Sequence, residues 1–236
     1  MATLLFDIGN VLWSDEAGDA LTLANIGAVL RERGRLVTEE EIAAAQARAV
    51  ADFAPSPWRT VIATLCGGDA VLAAEVTREV RARWDALSDA EYAGFTTPFA
   101  STAPLLGALA AAGHRMVLAR DNSPRALLRL EALDLLRHFA VKEVSETLHL
   151  AKPDLRFYLA LLAAAGAAPA DCLMVGDRID NDILPARRLG LRTLRLRHGS
   201  HAAQEPRSPA EAPELTVDHP DQLATGIARL LASSDV

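Results

Sequence analysis

A chain of 236 residues, half of them hydrophobic and 5% aromatic, has enough apolar side chain for one well-buried core and room for a smaller second module, which excludes a disordered tail. Its net charge of −7 is the wrong sign for a broad grip on nucleic acid, which needs Lys and Arg clustered on one face. Only two cysteines occur, Cys66 and Cys172, far apart and among apolar neighbours, so neither a disulfide framework nor a zinc site is expected and a reducing, cytoplasmic setting fits.

The opening "MATLLFD" lacks a basic stretch and meets an acidic residue too soon for a signal peptide. No apolar run approaches the roughly 20 residues that span a bilayer, so no membrane partner is expected. The first predicted element is a strand in "LLFDIGNVLW" (4–13), whose three apolar residues run straight into Asp7, followed by Gly9 and Asn10. A strand ending in a polar turn, with Asp7 and Asn10 satisfying local backbone donors, is one account of this pattern. A carboxylate placed for chemistry is the other.

From residue 14 to 98 the pattern is helical. The stretches "SDEAGDALTLANIGAVLRERG", "TEEEIAAAQARAVADF" and "GDAVLAAEVTREVRARWDAL" carry apolar residues at three- and four-residue spacing. Ser14, Thr38 and Asp69 are the expected N-caps, and Thr38 has Glu41 at the capping-box spacing. After "TTPFAST" the chain alternates. A helix "APLLGALAAAG" leads to a strand "RMVLA", a helix from Pro124, a short strand around "AVKEVS" and a helix "DLRFYLALLAAAG"; then come a strand "CLMVG", a helix from Asp182 to Leu189, a strand "LRTLRL" and a last helix "PDQLATGIARLL". Such alternation predicts βαβ units and a parallel sheet covered on both faces. The expected architecture is α/β: a doubly wound core of residues 1–13 and 99–236, interrupted after its first strand by a helical segment, 14–98. Residues 198–214, rich in Pro, Ser and Glu, read as a surface loop. His198 and His201 within it are expected to be solvated or turn residues.

In an open parallel sheet, ligands bind beyond the carboxyl ends of the strands. Asp7 follows the first predicted strand and Asp177 follows "CLMVG", so both should emerge on one rim, with Asp180 and Asp182 just beyond in "GDRIDNDILPA". Carboxylates crowded in this way repel unless a cation lies between them, and oxygen ligands alone favour a hard ion such as Mg²⁺. Asp182 can instead be read as the cap of the helix that starts there. Lys152, in "LHLAKPDLRFY", stands where a loop meets a helix; a solvated surface lysine is its plain reading.

Taken in order, "FDIGNVL", "AKPD" and "VGDRIDNDILPARRLG" resemble the haloacid dehalogenase superfamily of phosphatases and hydrolases, over residues 1–13 and about 99–232. The resemblance implies a Rossmann-like core with residues 14–98 as an inserted helical cap. It implies that Asp7 is a nucleophile that forms an aspartyl-phosphate on a small phosphorylated substrate. Mg²⁺ would be held by Asp7, the Gly9 carbonyl and Asp177, with Asp182 as a further ligand or an anchor of its waters. Lys152 would neutralise phosphoryl oxygens and steady Asp7. The phosphate-binding set it implies is Asn10, Arg120 or Asp121, Asn122 and Lys152, in a monomer or homodimer. In this architecture the cap selects substrate, and Trp13, Trp58, Arg59 and Trp84 are candidates to face it, with core packing the competing reading of Trp84.

Two positions depart from the superfamily pattern. Gly9 stands where most of its phosphatases carry a second aspartate that protonates the leaving oxygen and then activates water, and losing such a group costs about 10²–10⁴-fold in rate. The Ser or Thr expected after "RMVLA" is replaced by Arg120 or Asp121, depending on register; Ser123 is the nearest hydroxyl and is also placed to cap the helix at Pro124. The pattern therefore suits a Mg²⁺-dependent phosphatase with unusual acid/base chemistry, or a binding or regulatory module that has lost turnover. Hydrolytic dehalogenation, which needs no metal, sits poorly with the acidic "GDRIDND" cluster.

Overall fold

The computed structural model describes residues 1–120, 124–142 and 150–233. The chain divides into two compact units, one made of Met1–Ser14 and Thr97–Val236, the other of Asp15–Thr96. Strand β1 (Thr3–Phe6) opens the first unit. The second unit is helical: α1 (Glu16–Glu32), α2 (Glu39–Ala51), α3 (Pro57–Leu65), α4 (Ala70–Asp85) and α5 (Asp89–Gly94).

Local chemistry sets these helix starts. The Thr38 hydroxyl accepts from Glu41 N at 3.1 Å while the Glu41 carboxylate accepts from Thr38 N at 2.8 Å, the reciprocal box that satisfies two orphan donors. Asp69 accepts from Val71 N and Leu72 N at 3.1 and 2.9 Å. The expected cap at Ser14 is displaced by one residue: Asp15 precedes α1, with no side-chain cap bond. Ile26, Leu30, Ile42, Ala49, Ile62, Val76 and Val80 form the core of this unit. Trp58 packs at its edge under the Arg59 guanidinium, 5.2 Å from the ring. Trp84 donates from its indole to the Thr22 hydroxyl at 2.7 Å and meets Tyr92 and Phe95 edge-on.

The first unit continues with α6 (Thr102–Ala111), β2 (Arg115–Leu118), α7 (Pro124–Ala132), β3 (Phe139–Val141), α8 (Leu155–Ala165), β4 (Cys172–Gly176), α9 (Leu184–Arg188), β5 (Arg192–Leu196), β6 (Leu215–Val217) and α10 (Leu223–Ala232). Its strands form one parallel sheet in the order β3-β2-β1-β4-β5-β6. The central strands β1 and β4 are buried along their whole length because both faces are covered, and alternate residues go to opposite layers. Leu4 and Phe6 join Leu106, Leu130 and Ile227 from α6, α7 and α10. Leu5 joins Phe157 and Leu161 from α8 and Ala186 from α9. This is the doubly wound α/β core expected from the alternation.

Three details differ from the sequence-based expectation. Strand β6 lies just past the stretch read as loop, and that stretch itself contains a short 3₁₀ turn, Gly199–His201. The helix expected from Asp182 to Leu189 is α9, Leu184–Arg188, and a wide π turn, Ile179–Ile183, leads into it. Of the strand expected around "AVKEVS", β3 covers only its first part, and residues 143–149, with His149 among them, lie outside the described residues.

Candidate active site

The direction of winding reverses between β1 and β4: from β1 the chain moves outward to β3, from β4 outward to β6. The carboxyl ends of these two central strands flank the crevice where open α/β sheets hold ligands. Asp7 follows β1, and its N–H donates to Val175 O at 3.0 Å, carrying the pairing one residue beyond the strand. Asp177 follows β4 directly. Asp182 reaches the same place from the π turn, its carboxylate accepting from Arg178 N at 3.1 Å. One carboxylate oxygen from each of Asp7, Asp177 and Asp182 lies within 4.8 Å of the others, and all three residues are buried.

Glycines make this convergence possible. A Cβ on Gly176 would stand 2.4 Å from the Asp182 Cβ, so any side chain there would push that carboxylate out of place. Asn10 adopts a left-handed φ of 53°, which Asn tolerates better than most residues, and donates from its amide to Asp177 at 3.2 Å. Gly199 packs directly over it: a Cβ there would be 2.3 Å from the Asn10 side-chain oxygen.

Lys152, 9% exposed, sits between two of the acids. Its ammonium donates to Asp7 at 2.5 Å and to Asp182 at 2.9 Å. The surface reading of this lysine is thereby set aside. Asp180, by contrast, turns from the trio to pair with Arg178 at 2.5 Å. Arg120, 1% exposed, follows Ala119, whose N–H donates to Phe6 O at 2.8 Å, so the arginine stems from the end of β2 beside β1. Gly9 lies in the buried turn after Asp7, bridged to Trp13. Asp121, Asn122 and Ser123 lie outside the described residues.

The charge balance decides what this group can hold. Three buried carboxylates face one ammonium. Burial first, then the negative charges of Asp7 and Asp182, drive the Asp177 carboxyl well above the usual carboxylate range, against the opposing pull of Asn10 and Lys152. Oxygen donors alone, converging from three elements around an excess of negative charge, fit a hard divalent ion rather than a soft one.

Two residues not singled out in the sequence brace the loop that carries Asp177. Arg195, on β5 and 2% exposed, donates to the Asp177 carbonyl at 3.1 Å, to Gln204 O at 2.8 Å and to His201 O at 2.9 Å. Gln204, 1% exposed, accepts from Ile179 N at 2.9 Å and donates to Asp180 at 3.1 Å. Both histidines are half-buried: His198 meets Phe99 edge-on at 5.2 Å, and His201 lies in the Gly199–His201 turn with its Nδ1 covered, its imidazole pushed down to about 4 by burial and the nearby Arg178 charge.

Residues 1–190 match the haloacid dehalogenase-like hydrolase family. The chain belongs to the haloacid dehalogenase-like hydrolases. Among proteins similar to this hydrolase, a glyceraldehyde 3-phosphate phosphatase of Methanopyrus kandleri is 27% identical over 146 residues, 61% of this chain and 62% of that protein. A phospholysine phosphohistidine inorganic pyrophosphate phosphatase of Xenopus laevis is 38% identical over 85 residues, 36% of this chain and 30% of that protein. These matches span less than two thirds of either relative. In fold, the hydrolase superposes on a HAD phosphatase from Thermococcus onnurineus with a TM-score of 0.64 at 18% identity, covering 96% of this chain and 98% of that one. No helix among the described residues is long and apolar enough to cross a membrane.

Proposed function

We propose that this hydrolase is a Mg²⁺-dependent phosphatase of small phosphorylated metabolites, working through a phosphorylated intermediate on Asp7. The observation that carries the reading is the buried trio Asp7, Asp177 and Asp182 with Lys152 bonded to two of its members. Asp7 attacks phosphorus through a carboxylate oxygen; the bond from phosphorus to the ester oxygen breaks, and the leaving alkoxide takes a proton. Water then attacks the aspartyl-phosphate, releasing inorganic phosphate and restoring the carboxylate. Asp7, Asp177 and Asp182, with the Gly9 carbonyl, hold the metal, which when bound supplies positive charge to the phosphoryl oxygens.

Lys152 orients Asp7 through its 2.5 Å bond and places its own charge beside the reacting group. Asn10 steadies Asp177. Arg120 takes the part of the absent hydroxyl as an anion clamp, since a guanidinium presents a fork of donors to phosphate oxygens. With Gly9 in place of an acid, the leaving oxygen takes its proton from water, and turnover is slow. We assign residues 15–96 the part of a cap that selects substrate. Phosphatase names among the relatives support the substrate class, glyceraldehyde 3-phosphate being the first ester to try.

Purified protein should release phosphate from p-nitrophenyl phosphate or from a panel of small phosphate esters only with Mg²⁺ present, and Asp7→Asn should abolish that release. Gly9 favours a second reading, a metal-binding module without turnover. Wild-type protein that binds Mg²⁺ yet hydrolyses no ester on the panel at any pH from 5 to 9 would establish that second reading instead.

A further inference from the structure

We infer that Arg195 and Gln204 are positioning residues that pre-set the Asp177–Asp182 loop for its metal, so that affinity for the divalent ion depends on a clamp that makes no contact with it. The inference rests on the phosphatase reading only for the identity of the ion. Its own basis is the hydrogen-bond geometry of the first unit.

Three places on one short loop are held at once. Arg195 grips the Asp177 carbonyl, and Gln204 grips the Ile179 N–H and the Asp180 carboxylate. The clamp is itself closed, because the remaining Arg195 donors go to the carbonyls of His201 and Gln204 and so tie the turn carrying Gln204 to the same guanidinium. Strand β5 puts Arg195 there by register: it lies opposite Gly176, the residue before Asp177, while Leu194 and Leu196 point into the other layer.

A buried guanidinium bonded to backbone carbonyls, rather than neutralised by a touching carboxylate, is an expensive arrangement unless the geometry it imposes is used. Here it does two things. It fixes the main chain of the loop before any cation arrives, so less ordering remains to be done on binding. It also sets a positive charge beside Asp177, close enough for the two groups to feel one another's charge. The same turn delivers Gly199 onto Asn10, the amide that donates to Asp177. One turn after β5 therefore braces both the main chain and the side chain of this acid.

The test uses the full chain. Arg195→Lys keeps the charge but cannot reach three carbonyls, and Gln204→Leu removes only the two loop contacts at similar volume. Partners of this kind, which orient ligands without touching the metal, typically change metal affinity by about 10–100-fold. Isothermal titration with MgCl₂ should show both variants binding the ion about 10-fold or more weakly, with kcat at saturating Mg²⁺ restored to within a few-fold of wild type. In the metal-free protein, amide hydrogen exchange at Ile179 should quicken by at least 10-fold in Gln204→Leu, with exchange in β1 and β4 unchanged.

Folded variants with wild-type Mg²⁺ affinity and wild-type Ile179 protection would overturn the inference, as would a wild-type chain that binds no divalent ion. If Arg195→Lys does not fold, Gln204→Leu alone decides. A wild type that binds Mg²⁺ but hydrolyses no ester would remove the phosphatase reading and leave the clamp standing, since neither titration nor exchange depends on turnover.

Discussion

Asp177 and His201 sit in the same first unit, and burial shifts them in opposite directions. In the metal-free protein the native Asp177 binds its proton more tightly than the unfolded chain does, because burial and its acidic neighbours penalise the carboxylate. As pH rises above the ordinary carboxylate range of about 4, the unfolded state has released the proton and the native state has not, so stability falls with pH through the native value. Differential scanning calorimetry in EDTA should therefore show Asp177→Asn melting above wild type at pH 8, with no further rise on adding Mg²⁺. A lower melting temperature for that variant at every pH would sink the argument. His201 behaves oppositely: held down to about 4, it stays neutral while the unfolded histidine protonates near 6.5, so its stabilisation is whole above that and is lost as pH falls from 6.5 to 4. His201→Gln should flatten this acid limb.

Gly9 makes a sharper residue-scale prediction. It lies outside the left-handed region, so its backbone accepts an L side chain. If the missing acid limits turnover, Gly9→Asp should raise kcat by about 10²-fold and steepen the acid-side pH dependence, in steady-state assays with p-nitrophenyl phosphate. An unchanged or lower kcat in a folded, Mg²⁺-binding variant would place the limiting step elsewhere.

At the scale of elements, caps and glycines hold the pieces to their boundaries. Thr38→Ala removes one half of the α2 box and should lower stability by about 1 kcal/mol in urea titrations, without altering Mg²⁺ affinity. Gly176→Ala is a different matter, because the new methyl would overlap Asp182; Mg²⁺ binding should be lost even where the sheet survives. Much of this was legible in the sequence. Buried parallel strands read as apolar runs, and Asp7, Asp177 and Lys152 stand at strand or helix ends where a sequence reader looks first. Other elements gave too little signal. Strand β6 is three residues long and α5 is six, each too short for its period to repeat twice. The π turn leaves no compositional mark, since one extra residue in a helical turn is a matter of hydrogen bonding. Nothing in "LRTLRL" marks Arg195 as a brace, because it is the folding of residues 199–204 over it that makes it a buried clamp.

For the whole molecule, the decisive feature is how the helical insertion leaves and re-enters the first unit. Trp13 bridges to Pro98 in antiparallel fashion, Phe99 N donates to Leu12 O at 3.2 Å, and the Thr102 hydroxyl donates to the same carbonyl at 2.7 Å. The outgoing and returning chains are thus already side by side. The insertion closes on its own core of Ile26, Leu30, Ile62, Val76 and their neighbours, which among the described residues shares none with the two layers packed on the sheet. Replacing residues 15–96 with a short Gly-Ser linker should therefore leave the parallel sheet folded, because loop closure between adjacent ends costs little and no buried side chain of either sheet layer is removed. The excised protein should unfold cooperatively and bind Mg²⁺ within about 10-fold of the full chain, since Asp7, Lys152, Asp177 and Asp182 all remain. If residues 15–96 select substrate, it should also lose discrimination, with kcat/KM values for different phosphate esters converging. A truncated chain that folds and binds the ion but keeps the full-length ranking of substrates would return specificity to the sheet end itself, with Arg120 the first residue to vary.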